Sequence, residues 1–274
     1  MTLLSDNDSA ATVTDIVQNS AFERFARFGY VVSGLLHIAV GYLAVRIAVG
    51  AGGADADQSG ALAEVAIRPG GSFALWVAAV GFLAMALWRL VETAVGRSTD
   101  PKSQRVLLEV SDRSKAFGLA AVYFALAYSA FGFARGAGKS AGAQNAGMSA
   151  RLMQTGIGTA TLIVGGIVIV AVGGYHVYKG ASQTFLGDLK GTSSALVRRL
   201  GTVGYIVKGL AIVGTGIVVV IAATRAEPSK ATGLDGALKT LGAQPFGSAL
   251  LIVAALGIIT YGLFSFAMAR YTKM

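Results

Sequence analysis

The sequence predicts an all-α membrane protein in which six transmembrane helices form three parallel two-helix repeats with a pseudo-threefold arrangement. Three observations predict it: six apolar runs long enough to cross a bilayer, a Lys and Arg bias that alternates between successive loops, and a first pair of runs that returns as the third.

Composition sets the class. Of 274 residues, 54% are apolar and only 14% charged, well below the roughly one quarter charged of soluble domains, so the bilayer is the natural solvent. A net charge of +9 would suit nucleic acid in a soluble protein. Here the cations sit in short segments between apolar runs, not on one amphipathic face, so no nucleic-acid partner is expected. Membrane lipids and other membrane proteins are the expected partners. The absence of cysteine closes disulfides, thiolate metal sites and cysteine nucleophiles.

In chain order, residues 1–21 are polar and mildly acidic, which suits a cytoplasmic tail and not a signal peptide. Repeat one covers 22–98, with spans at 26–49 and 72–95. Repeat two covers 112–190, with spans at 115–135 and 156–178, and repeat three covers 196–272, with spans at 202–224 and 247–269. Each run meets the requirement of about 20 apolar residues. All four prolines lie outside the runs. Fourteen Lys and Arg fall at one end of the spans, among them Arg24, Arg27, Arg97, Lys102, Arg105, Lys115, Lys179 and Arg270, against seven at the other. Cytoplasmic loops are enriched in these residues, so both termini are expected in the cytoplasm of a bacterial inner membrane.

Self-comparison yields the repeat. Gly29-Tyr30-Val31-Val32-Ser33-Gly34-Leu35 returns as Gly204-Tyr205-Ile206-Val207-Lys208-Gly209-Leu210, and Pro69-Gly70-Gly71-Ser72 returns as Pro245-Phe246-Gly247-Ser248. Gly81 then corresponds to Gly257. In the diverged middle unit, Ala120 stands where Gly34 and Gly209 stand, and the step from Gly156 to Gly166 matches that from Gly71 to Gly81. Two spans per unit make every copy enter from the same side, hence parallel repeats. Gly29, Gly34, Gly81, Gly166, Gly204, Gly209 and Gly257 read as packing positions, because small residues let membrane helices approach closely. Gly29 with Ser33, Ala121 with Ala125 and Ser129, and Gly156 with Ala160 fit the small-xxx-small spacing. Each external loop also carries a short apolar element, around Leu62, Leu152 and Leu238, expected to form an interfacial rim.

The Gly-Tyr-x-x-x-Gly start of a repeat, the Pro-x-Gly-Ser lead-in to its second helix, and Tyr175-His176-Val177-Tyr178-Lys179-Gly180 with Phe185 and Leu186 carry a resemblance. On them the chain resembles a bacterial family of integral membrane proteins known as a domain of unknown function, in which a two-helix unit occurs up to three times. The resemblance covers roughly residues 22–272 and implies the fold; it implies no activity, substrate or cofactor.

Ionisable residues at bilayer depth are costly and are functional candidates. His37 lies near the midplane of span one. Arg89 and Glu92 are spaced for an ion pair on one face of span two. His176 lies near the end of span four, and Lys208 is expected to snorkel to the headgroups. The different depths of His37 and His176 argue against their sharing a haem. Gly132 through Ser140 has the wrong spacing for a phosphate-binding loop, and no HExxH, G-x-S-x-G or calcium-loop motif occurs. No metal, cofactor or catalytic residue is therefore expected. The expectation is a non-catalytic accessory or scaffold component interacting with other membrane proteins or lipids. The alternative is a small-solute transporter or channel with its pathway along the pseudo-threefold axis.

Overall fold

The computed structural model describes residues 20–51, 55–95, 106–191 and 194–273. The expected tail, apart from its last two residues, and the stretch holding Arg97, Lys102 and Arg105 lie outside the described residues. Six long helices carry the spans: α1 (Ser20–Ala48), α3 (Gly71–Val95), α4 (Val106–Ala134), α6 (Gly156–Ala181), α7 (Ala195–Thr224) and α9 (Gly247–Tyr271). All six are long and apolar enough to cross a membrane. Three short helices, α2 (Gln58–Ala66), α5 (Ala141–Leu152) and α8 (Leu234–Gly242), fill the loops at the end away from the termini.

Packing follows the repeat. The second helix of each unit packs most extensively on the first helix of the next: α3 on α4, α6 on α7, and α9 back on α1. Small residues seven apart allow it. A Cβ on Gly34 would lie 2.8 Å from the Gly262 carbonyl oxygen, one on Gly41 2.8 Å from that of Ala255, and one on Gly209 2.7 Å from that of Gly173. Gly216 faces Gly166 in the same way. Ala120 and Ala127 hold these positions in α4 and are buried. Gly29, Gly81, Gly204 and Gly257 serve a different seam, within a hairpin: Gly29 meets Met85, Gly81 meets Val32, Gly204 meets Tyr261, and Gly257 meets Val207.

The middle unit departs from the sequence register. The Pro-x-Gly-Ser lead-in needs glycine because a Cβ on Gly71 would lie 1.8 Å from the Val65 carbonyl oxygen and one on Gly247 2.1 Å from that of Gly242. In repeat two the residue in this position is Gly158, whose Cβ would lie 2.0 Å from the Leu152 carbonyl oxygen; Gly156 has open space around it. The register is thus two residues later than the Gly156-to-Gly166 step implies. Gly166 accordingly packs against α7 and does not share the role of Gly81 and Gly257. Two expected small-residue stripes also turn outward, since Ala121, Ala125, Gly156 and Ala160 are exposed. The seam of α4 is Ala116, Ala120, Ala127 and Ala130.

Hairpins one and three close, with α1 on α3 and α7 on α9, whereas among the described residues α4 and α6 meet only sparsely, Lys115 reaching the ring of Tyr175 at 5.4 Å. Side-chain bulk accounts for this. Gly29 and Gly204 admit the partner helix so closely that a Cβ would lie 2.0 Å from Met85 Cγ and 2.7 Å from Tyr261 Cα. The corresponding residue of α4 is Lys115. The face that follows it shows the result: Val32, Ser33 and Leu36 are 7 to 8% exposed in α1. Their counterparts Leu119 and Val122 are 40% and 54% exposed, and nothing lies within 4 Å of a Cβ placed on Gly118. The ring of six helices is therefore open on one side.

At the loop end the three short helices interlock. Ala56 N donates to Asp235 Oδ1 at 2.8 Å, Ser140 Oγ to Asp55 Oδ2 at 2.6 Å, and Ala141 N to Ser59 Oγ at 2.9 Å. Lys239 pairs with Asp235 at 2.6 Å and with Asp55 at 3.1 Å. Asp57 caps α2 through Gly60 N at 2.9 Å. The expected rim is thus a cap joined by the half-buried carboxylate of Asp55 and the buried one of Asp235, which apolar spacing in the loops does not reveal.

Candidate functional site

The half of the ring nearer the termini holds a cluster of polar and aromatic side chains. Tyr30, Ser33 and His37 project from one face of α1, spaced three and four apart. Arg89 and Glu92 come from α3, Tyr123 from α4, His176 and Lys179 from α6, Tyr205 and Lys208 from α7, and Tyr261 from α9. In the register fixed by Gly173 and Gly262, His176 occupies the position of Arg89 and Ser265, and Tyr123 of α4 occupies that of His37. The three units thus present different polar groups at equivalent places.

Arg89 is held on both sides, paired with Glu92 and donating from Nη2 to the Tyr30 hydroxyl at 2.9 Å, while its buried Nε finds no partner among the described residues. The expected ion pair is therefore formed, and it is anchored to the opposite helix. Tyr123 stacks on Phe82 of α3, with ring centroids 6.4 Å apart. His37 donates from Nδ1 to the Ser33 carbonyl at 2.7 Å, and His176 from Nδ1 to the Val172 carbonyl at 2.9 Å. A carbonyl can only accept, so each neutral ring keeps Nε2 as an acceptor.

The aromatic rings form a line through the cluster. His37 lies 4.9 Å from Tyr261, Tyr261 5.3 Å from Tyr205, and Tyr205 6.0 Å from His176, between ring centroids. Two tyrosines therefore separate the two imidazoles. Lys208 does not snorkel: its Nζ sits 3.9 Å from the Tyr261 ring centroid, within electrostatic reach of both His37 and His176. The ring of Tyr261 lies about 15 Å along α9 from its end at Tyr271, at about 1.5 Å per residue. His37, Tyr123, His176 and Lys208 are only half-buried, and Tyr123 packs against both apolar clusters of the bundle.

The terminal end is closed by the segment after α6. Phe185 is buried between Tyr205 and Phe264, and a Cβ on Gly201 would lie 2.3 Å from it. Lys179 pairs with Asp188 at 2.7 Å, and Lys190 N donates to the Tyr271 carbonyl at 2.6 Å.

Of the sequence candidates, the structure brings His37, Arg89, Glu92, His176 and Lys208 into one neighbourhood. Of the tyrosines that join them, Tyr30 and Tyr205 stand in the Gly-Tyr-x-x-x-Gly starts, and the helical spacing of Tyr30 and Ser33 with His37 marks one polar face.

Comparison with known proteins accounts for the threefold pattern. A model of the family described as Domain of Unknown Function (DUF1206) matches three times, at residues 28–96, 115–183 and 203–272. The chain belongs to this family. Each match covers one helical hairpin, so the unit of the DUF1206 family is the two-helix repeat seen in the sequence. A curated relative, Uncharacterized protein YxxB of Bacillus subtilis (strain 168), is 30% identical over 263 residues, 92% of each chain. No solved structure matches.

Proposed function

We propose that this DUF1206 protein is a non-catalytic accessory component of the bacterial inner membrane, with both termini cytoplasmic, that holds lipid at its middle hairpin. The observation that carries the reading is the sparse contact between α4 and α6 among the described residues, with Leu119 and Val122 exposed where the other hairpins are closed. Lipid is the solvent that fills such an opening, and its acyl chains meet Leu119 and Val122 on α4 and Val172, 45% exposed, on α6. The alternative, a solute pathway along the axis, has to pass the interlocked cap of α2, α5 and α8. The fourteen-to-seven distribution of Lys and Arg supports the orientation.

The test is native mass spectrometry after extraction in mild detergent. Stoichiometric retained lipid is the expected result. A retained water-soluble solute with no lipid favours the transport reading, and loss of all lipid under conditions that keep the fold contradicts the proposal.

A further inference from the structure

Arg89, Lys179 and Lys208 reach the interior from the spans, and their charges are not balanced alike. Arg89 is paired with Glu92, and Lys179 with Asp188. Lys208 meets no carboxylate among the described residues and rests on the face of Tyr261. A cation–π contact offsets only part of the cost of holding an ammonium away from water. The flanking imidazoles offer lone pairs, not a counter-charge. The charge is also not demanded by the fold: the same backbone position is occupied by Ser33 in α1 and Leu119 in α4.

We propose that Lys208 seats the headgroup of an acyl-chain lipid carrying one net negative charge, admitted between α4 and α6. The proposal rests on the lipid reading above and adds to it the site and the sign of the charge. The oxyanion supplies the missing counter-ion. Its remaining oxygens are within the neighbourhood of the tyrosine hydroxyls, and its chains leave through the opening past Gly118.

The test measures retention of dioleoylphosphatidylglycerol, dioleoylphosphatidylcholine and inorganic phosphate by the full chain in detergent, by native mass spectrometry. Wild-type protein is expected to favour the phosphatidylglycerol by about tenfold, a difference of about 1.4 kcal/mol. Lys208→Ser, which places the α1 residue in α7, is expected to lower that preference to parity, and Lys208→Arg to keep it. Should the serine variant not fold, Lys208→Met preserves the length of the side chain on Tyr261 and takes its place. Undiminished preference in the folded neutral variants overturns the proposal, as does binding of free phosphate in place of lipid. Equal retention of both lipids by wild type overturns the Lys208 seat but leaves the lipid reading standing; retention of neither overturns both.

Discussion

Lys115 of α4 reaches the ring of Tyr175 on α6, with Nζ 5.4 Å from its centroid, across a space that the other two hairpins fill with direct helix packing. The same residue that keeps α4 away from α6 thus makes a long-range contact back to it. A glycine there, as at Gly29 and Gly204, permits closure. A lysine does not.

The glycine seams predict a graded response to added bulk. Gly34→Leu drives a side chain into the Gly262 carbonyl, 2.8 Å from the Cβ position, and is expected to cost about 1–3 kcal/mol. Gly118→Leu, in open space, is expected to leave thermal stability in detergent unchanged. Differential scanning fluorimetry of the two variants checks the contrast, and equal losses contradict the packing described.

The loop cap predicts a pH signature. The hydrogen bond from Ser140 holds the Asp55 carboxyl below the ordinary value of 3.8, against the opposing effect of partial burial. Its contribution to stability is therefore present above pH 3.8 and lost as pH falls through the lowered value. Burial pushes Asp57 the other way, above 3.8. Its ionised form opposes folding, a penalty that sets in as pH rises above 3.8 and is complete past the raised value. Asp55→Asn is expected to lower the melting temperature at pH 7. Asp57→Asn, whose amide oxygen still caps Gly60, is expected to keep or raise it. Both differences should shrink toward pH 3, and melting curves across that range decide it.

How much of this was legible in the sequence depends on which force acts. Spans follow from apolar length, and the first and third hairpins follow from matched residues, because lipid solvation and helix-helix contact act on local patterns. The opening between α4 and α6 depends on one residue's bulk at a repeat position. Lys115 was visible there once Ala120 had been aligned with Gly34. The register of α6 is hidden in the sequence because the helix begins at Gly156, two residues before the close-contact glycine Gly158, and only the clash with Leu152 distinguishes them. Lys208 was expected at the headgroups because snorkelling is the common fate of a lysine near a span end. The ring of Tyr261, on the other helix of the same hairpin, draws it inward instead.

For His37 the structure predicts a mild phenotype. Its Nδ1 bond goes to its own helix, at Ser33, and its ring packs on Tyr261. His37→Gln retains a donor and is expected to cost about 0.5–1.5 kcal/mol while leaving lipid retention as in wild type. Complete loss of retained lipid with unchanged melting temperature is the contrary result and makes the imidazole part of the seat.

Orientation is open to a direct check, since the chain has no cysteine of its own. A cysteine at exposed Ser229 is expected to react with an impermeant maleimide added to intact cells, and one at exposed Ser182 only after lysis. The reverse pattern inverts the topology.

The lateral opening itself is tested most directly by spin labels at two equivalent positions, Leu36 in α1 and Val122 in α4, which are 7% and 54% exposed. In protein reconstituted into bilayers, oxygen accessibility measured by electron paramagnetic resonance is predicted to be high at Val122, comparable to a label at Ile157, and low at Leu36. A label at Val122 as shielded as one at Leu36 means that α4 and α6 close like the other two hairpins, and contradicts the account.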